Sequence, residues 1–113
     1  MKFIAFLCFS CVLSGPALAL TDEYAQAGSD LGLAGTCVQY YGDMALYDYY
    51  ERQLRERNRL EVAQGIAGAP DPAEVNAVLA AMRPAPPAPG DLPETVPEVI
   101  AEWCDGLRSK MRQ

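Results

Sequence analysis

Residues 29–66, SDLGLAGTCVQYYGDMALYDYYERQLRERNRLEVAQGI, decide how this chain folds. Leu33, Cys37, Tyr40, Tyr41, Met44, Tyr47, Tyr50 and Leu54 recur at three- and four-residue intervals, the spacing that puts side chains on one face of an α-helix. Val62 and Ile66 return to that face. The pattern predicts a long helix from Ser29-Asp30 to about Ile66. Gly42-Asp43 is its weak point, because Asp43 has an N-cap side chain and could start a second helix. One continuous helix is the expectation and a helix pair the alternative.

Downstream, Gly65, Gly68 and Pro70 end the helical pattern. Asp71-Pro72-Ala73-Glu74 has the form of a capping box with proline at the first helical position. It leads into Val75, Val78, Leu79 and Met82, a short helix. Residues 83–93, RPAPPAPGDLP, are too rich in proline for helix or central strand, and read as a polyproline II connector with a turn at Gly90-Asp91. Thr95-Val96-Pro97-Glu98 reads as another capping box. Val96, Val99, Ile100, Trp103, Cys104, Leu107 and Met111 then form the stripe of an amphipathic C-terminal helix.

Strand signals are nearly absent, and Ala, Leu, Glu, Arg and Gln dominate, so the predicted fold class is all-α. A continuous helix from Cys37 to Ile66 would rise about 44 Å. The short helix, about 17 Å, and the proline segment, about 30 Å, would bring the chain back beside it. In an alternative, Pro84 to Pro89 folds onto the last helix. That arrangement resembles the hormone-like polyproline-on-helix miniproteins, a likeness confined to this fragment.

Upstream, Met1-Lys2 gives a positive start, Phe3 to Leu13 is apolar apart from Ser10, Gly15-Pro16 breaks any helix, and Ala17-Leu18-Ala19 is a small-x-small cleavage site. Residues 1–19 therefore read as a cleaved secretory signal peptide and 20–113 as one small helical domain. A membrane anchor needs roughly 20 apolar residues, about twice this run. The residues before Cys8 and Cys11 are too bulky for a lipoprotein acceptor. The expected location is periplasmic or extracellular, without a stable membrane anchor.

Cleavage would remove Cys8 and Cys11 and leave one possible pair, Cys37 with Cys104, which an exported protein would hold as a disulfide. A redox or metal pair lacks support: there is no C-x-x-C, no histidine and no further thiolate.

The 113 residues carry a formal net charge of -6, and removing Lys2 makes the domain more acidic. Nucleic acid and anionic membrane surfaces are thereby disfavoured as partners, and a neutral or basic protein is favoured. Without histidine there is no Ser-His-Asp or Cys-His arrangement and no usual zinc set. Asp43, Asp48 and Glu51 lack the spacing of a calcium loop. No catalytic residue, cofactor or metal is assigned, and the PxxP matches at Pro84 to Pro89 read as spacer.

Tyr40, Tyr41, Tyr47, Tyr49 and Tyr50 are a local enrichment of amphipathic rings, of the kind that packs on one side and binds on the other. Tyr49 falls off the main apolar face and is the tyrosine expected to be free. The following block interleaves Arg52, Arg55, Arg57 and Arg59 with Glu51, Glu56 and Glu61, a mixed-charge surface expected to be solvated all round. Tyr47, Tyr49, Arg52, Arg55 and Arg59 are the candidate partner-binding residues.

The expected function is that of a small exported, disulfide-stabilised helical protein that binds another protein, as an inhibitor, immunity protein or accessory subunit. The alternative is an acid-stress chaperone. It would expose apolar helix faces when its carboxylates are protonated, and it resembles the small periplasmic acid chaperones in size, helix content and a single disulfide.

Overall fold

The computed structural model describes residues 21–113, so the signal peptide read in residues 1–19 lies outside the described residues. Thr21 opens the first helix: its hydroxyl accepts the Tyr24 N–H at 3.0 Å, and Asp22 and Glu23 sit in the first turn, where the helix dipole favours negative charge. This helix, α1, is Asp22–Tyr41, beginning about two turns before the expected Ser29.

The expected continuous helix does not form. Gly42 takes a left-handed conformation, φ 69°, and its N–H closes α1 on the Val38 carbonyl at 2.8 Å. Asp43 then accepts the Leu46 N–H at 3.1 Å and starts α2, Met44–Ala63. A side chain added at Gly42 would meet only Leu92, at an ordinary 3.8 Å, so backbone conformation and not space reserves the position for glycine. The reversal wins energetically. Leu31, Ala34 and Val38 of α1 close against Leu46, Tyr50 and Leu54 of α2, all at most 7% exposed, and each large side chain so buried contributes about 1.5–3 kcal/mol. A straight helix would leave both stripes in water. The two helices run antiparallel, since Thr21 at the start of α1 donates to Glu61 near the end of α2.

Gly65 and Gly68, both at positive φ, lead to Asp71, which caps α3, Pro72–Met82, by accepting the Ala73 N–H at 3.1 Å. Asn58 donates to the Pro70 carbonyl at 2.9 Å, Arg55 to Asn76 at 3.1 Å, and Arg83 to Glu51 at 2.9 Å and Asp48 at 2.6 Å. Contacts that climb α3 thus descend α2, so these helices are also antiparallel. Only Val75 and Leu79 of α3 are buried.

The connector behaves as its prolines dictate. Arg83, Ala88, Leu92 and Pro97 all have φ between -55° and -69° with ψ between 125° and 151°, interrupted by one 3₁₀ turn at Pro89–Asp91. It crosses the end of the hairpin where α1 turns into α2, with Pro87, Pro93 and Pro97 beside Gln39 and Tyr40. It lies neither along a long helix nor folded back on the last one. The last helix, α4, is Glu98–Met111, and its cap is Pro97, without a side-chain hydrogen bond. The expected Thr95 capping box is absent because it would put Val96, the residue before a proline, in helical conformation, which proline sterics disfavour.

α4 docks on both hairpin helices. Cys104 is bonded to Cys37, with Cα atoms 5.8 Å apart, and both residues are fully buried. The Tyr50 hydroxyl donates to the Leu107 carbonyl at 2.6 Å, Arg108 bonds Asp43 at 3.1 Å and stacks on Tyr41, and Lys110 reaches the buried Asp30 at 2.6 Å. The described chain is therefore all-α, four helices clamped by one disulfide, with no strand among the described residues.

The bridge closes a separation of 67 residues, which chain entropy values at about 4 kcal/mol. Replacing Cys37 and Cys104 together by serine should lower unfolding free energy by about that amount in urea titration, with far-UV circular dichroism still helical before the transition.

Candidate functional site

At 100° per residue, Gly28, Gly32, Gly35 and Gln39 stand on one face of α1, half a turn around from Asp30 and Cys37, which face α4. An added Cβ would meet nothing within 4 Å at Gly28 or Gly32, and Tyr47 of α2 at 3.8 Å at Gly35. Between this face and α3 runs a groove of about 680 Å³, floored by Tyr47 and Leu54 of α2 and walled by Val75, Val78, Leu79 and Met82 of α3. Tyr24 and Pro70 stand at one end and Gln39 and Pro84 at the other.

Its chemistry is apolar and one-signed. Val78 and Met82 are 54% and 65% exposed, the two most exposed large hydrophobic side chains of the described residues. Glu74 is the single charged residue in the lining. Burial, and the nearby Glu61 carboxylate, raise the Tyr24 phenol above its ordinary pKa; burial, then Glu51, raises that of Tyr47. Both rings stay neutral and add no charge to the lining, and Arg83, the cation beside the Tyr47 floor, is paired with Glu51 and Asp48. Among the described residues no three His, Cys, Asp or Glu side chains are placed to hold a metal ion, and no helix is long and apolar enough to cross a membrane.

The sequence-derived candidates are dispersed. Tyr47 is only 3% exposed, yet its ring forms part of the groove floor. Tyr49 is not the free tyrosine expected: it is half-buried, packs against the core and meets Tyr50 edge-on, ring centroids 4.9 Å apart. Arg52 is exposed away from the groove, Arg55 is bound to Asn76, and Arg59 pairs with Glu56. The charged block is not solvated all round either. Glu51, Asn58 and Glu61 are at most 5% exposed and serve as anchors: Glu51 for Arg83, Asn58 for Pro70, Glu61 for Thr21. Burial of Glu51 is tolerated because Arg83 and Arg55 flank its Oε1, although its Oε2 has no partner among the described residues. The Asp48 hydrogen bond raises the Arg83 pKa, and the guanidinium also lies 5.7 Å over the Tyr47 ring, so one cation holds the end of α3 down at the groove floor.

Sequence reasoning missed the glycines and the outward face of α3. The signal was present as Gly28, Gly32 and Gly35, spaced i, i+4, i+7 in a helix. Val78 and Met82 carry the periodicity of core residues, and nothing local distinguishes an apolar face that is covered from one that is not.

Comparison with protein-family models, curated proteins and solved structures finds no match to this chain.

On the opposite side of α2, burial, the Asp30 carboxylate and Tyr49 push the Tyr50 phenol up to about 12. The neutral form is favoured by the fold, so the stability this contributes is complete below about pH 10 and lost as pH rises through about 12. Urea midpoints should fall steeply over the same range. Tyr50→Phe should cost about 1 kcal/mol at neutral pH, through the lost bond to Leu107, and flatten the alkaline fall.

Proposed function

We propose that this protein is a small exported binding protein that acts on another protein through the groove between α1 and α3. One observation carries the reading: a 680 Å³ apolar groove on a domain whose fold does not need it open. A side chain added at Gly28 or Gly32 would meet nothing within 4 Å, and a helix-interior glycine costs about 0.5–1 kcal/mol relative to alanine. These glycines therefore reduce stability without any packing return inside the chain. The Cys37–Cys104 bridge and α4 lie on the far side of α1, where they brace the groove without entering it. An inhibitor, immunity protein or accessory subunit needs such a rigid, preorganised surface, because ordering flexible groups on binding costs affinity. Export fits the disulfide, which persists in oxidising compartments.

A photoreactive amino acid at Val78 should, in the producing cells, form one defined protein adduct. The same group at Arg59, outside the groove, should form none. Equal labelling at both positions, or none at Val78, overturns the groove as the working surface.

A second reading, the acid-stress chaperone, is supported by the chemistry of the seams. Each seam between the helices has a carboxylate in it: Glu61 to Thr21, Asp48 and Glu51 to Arg83, Asp43 to Arg108, Asp30 to Lys110. Protonating carboxylates removes the negative half of the Arg83, Arg108 and Lys110 pairs and leaves like positive charges behind. On this reading, the protein suppresses light scattering by an acid-denatured client near about pH 3 and does not suppress it at neutral pH. Unchanged scattering overturns it.

A further inference from the structure

Resting on the groove reading above, we infer that the occupant is a cationic amphipathic helix of the partner protein, its apolar face against Gly28, Gly32 and Gly35 and a lysine or arginine at the Glu74 end.

The shape argues for a helix. From Tyr24 to Gln39 the α1 wall is about 22 Å long, some four helical turns, and α3 runs beside it as a second, shorter wall. An extended peptide gains affinity by pairing its backbone with a sheet edge, and the described chain has none. A helix satisfies its own backbone and needs only a surface it can approach closely. Glycines on α1 remove the Cβ atoms that would hold a neighbouring helix at the usual interaxial distance of about 8–10 Å. Val78 and Met82 then supply flexible apolar contact from the other wall, methionine being suited to repacking around whatever it meets.

Charge argues for a cation. Glu74 is the single charged lining residue, and the same end of the groove carries Asp71 at the cap of α3, while Asp22 and Glu23 of the first turn of α1 line the cleft on the other side of that helix. The two helix N-termini there contribute about half a positive charge each, less than the two carboxylates of Glu74 and Asp71. The domain as a whole has fifteen Asp and Glu against eight Lys and Arg once Lys2 is excluded. An acyl chain with a carboxylate or phosphate head would find no cation in the lining itself, and Arg83 beside the floor is already paired with Asp48 and Glu51; a second copy of this chain would bring more negative charge to a negative end.

The test uses the purified disulfide-bonded protein and two synthetic amphipathic helices of leucine and alanine, each about 18 residues long, about one turn more than the groove wall, one with lysine and one with glutamate on the polar face, followed by calorimetric titration. The lysine helix should bind at least tenfold more tightly than the glutamate helix, and Glu74→Gln should cut that preference severalfold and flatten its salt dependence. Gly32→Leu should weaken lysine-helix binding at least tenfold, whereas Gly32→Ala should raise Tm and still weaken binding. Stability and affinity moving in opposite directions is what a merely structural glycine would not produce. Equal binding of both helices, binding indifferent to Gly32→Leu, or no saturation of the lysine helix by about 1 mM overturns the inference. If Val78 crosslinks to a protein partner while these titrations fail, the groove reading survives and the cationic helix does not. If Val78 yields no adduct, the groove reading falls, and this inference, which rests on it, falls with it even where the lysine helix binds.

Discussion

A single left-handed residue sets the architecture. With Gly42 at φ 69° the chain reverses in two residues, and one continuous amphipathic pattern becomes two helices that bury their stripes in each other. Everything later in the chain docks on that hairpin. α3 lies along α2, α4 lies against α1 and α2, and the proline connector crosses the closed end, with Leu92 beside the turn. No other residue type adopts that backbone as cheaply, so the topology depends on the absence of one Cβ.

The hairpin alone is a small core, and the molecule supplements it with cross-links of different kinds. The Cys37–Cys104 bridge acts mainly on the unfolded chain by shortening its accessible loop. The polar contacts act on the folded state and are distributed among the seams: Tyr50 to Leu107, Lys110 to Asp30, Arg83 to Glu51 and Asp48, Thr21 to Glu61. Such partly buried charged pairs contribute little net attraction, but losing one partner strands the other. They fix register more than they add stability. The side of α1 facing these cross-links is packed, and the side facing away, with its glycines, is open. That asymmetry creates the groove.

Much of this was legible in the chain. The all-α class, the Asp71-Pro72 helix start, the polyproline connector with its turn and the Cys37–Cys104 pair follow from local chemistry: caps, fixed proline φ, helical spacing and the two thiols among the described residues. The Thr95 cap fails for a local reason too, since Val96 precedes Pro97. The mixed-charge block was misread because spacing shows which residues share a face and not what that face meets: Glu51 and Glu61 sit at positions that α3 and the start of α1 cover.

The candidate site divides in the same way. Tyr47 lies in the groove floor, whereas Tyr49, Arg52, Arg55 and Arg59 were placed together only by proximity along the chain. The sequence by itself determined the all-α class, the short helix after Asp71, the proline connector and the disulfide pair, because those depend on interactions within a few residues or on which cysteines are present. The tertiary structure alone decided that the chain reverses at Gly42 and that the glycine face of α1 and the Val78–Met82 face of α3 stay uncovered. Burial is a property of pairs of elements, and no periodicity within one helix records whether a partner arrives.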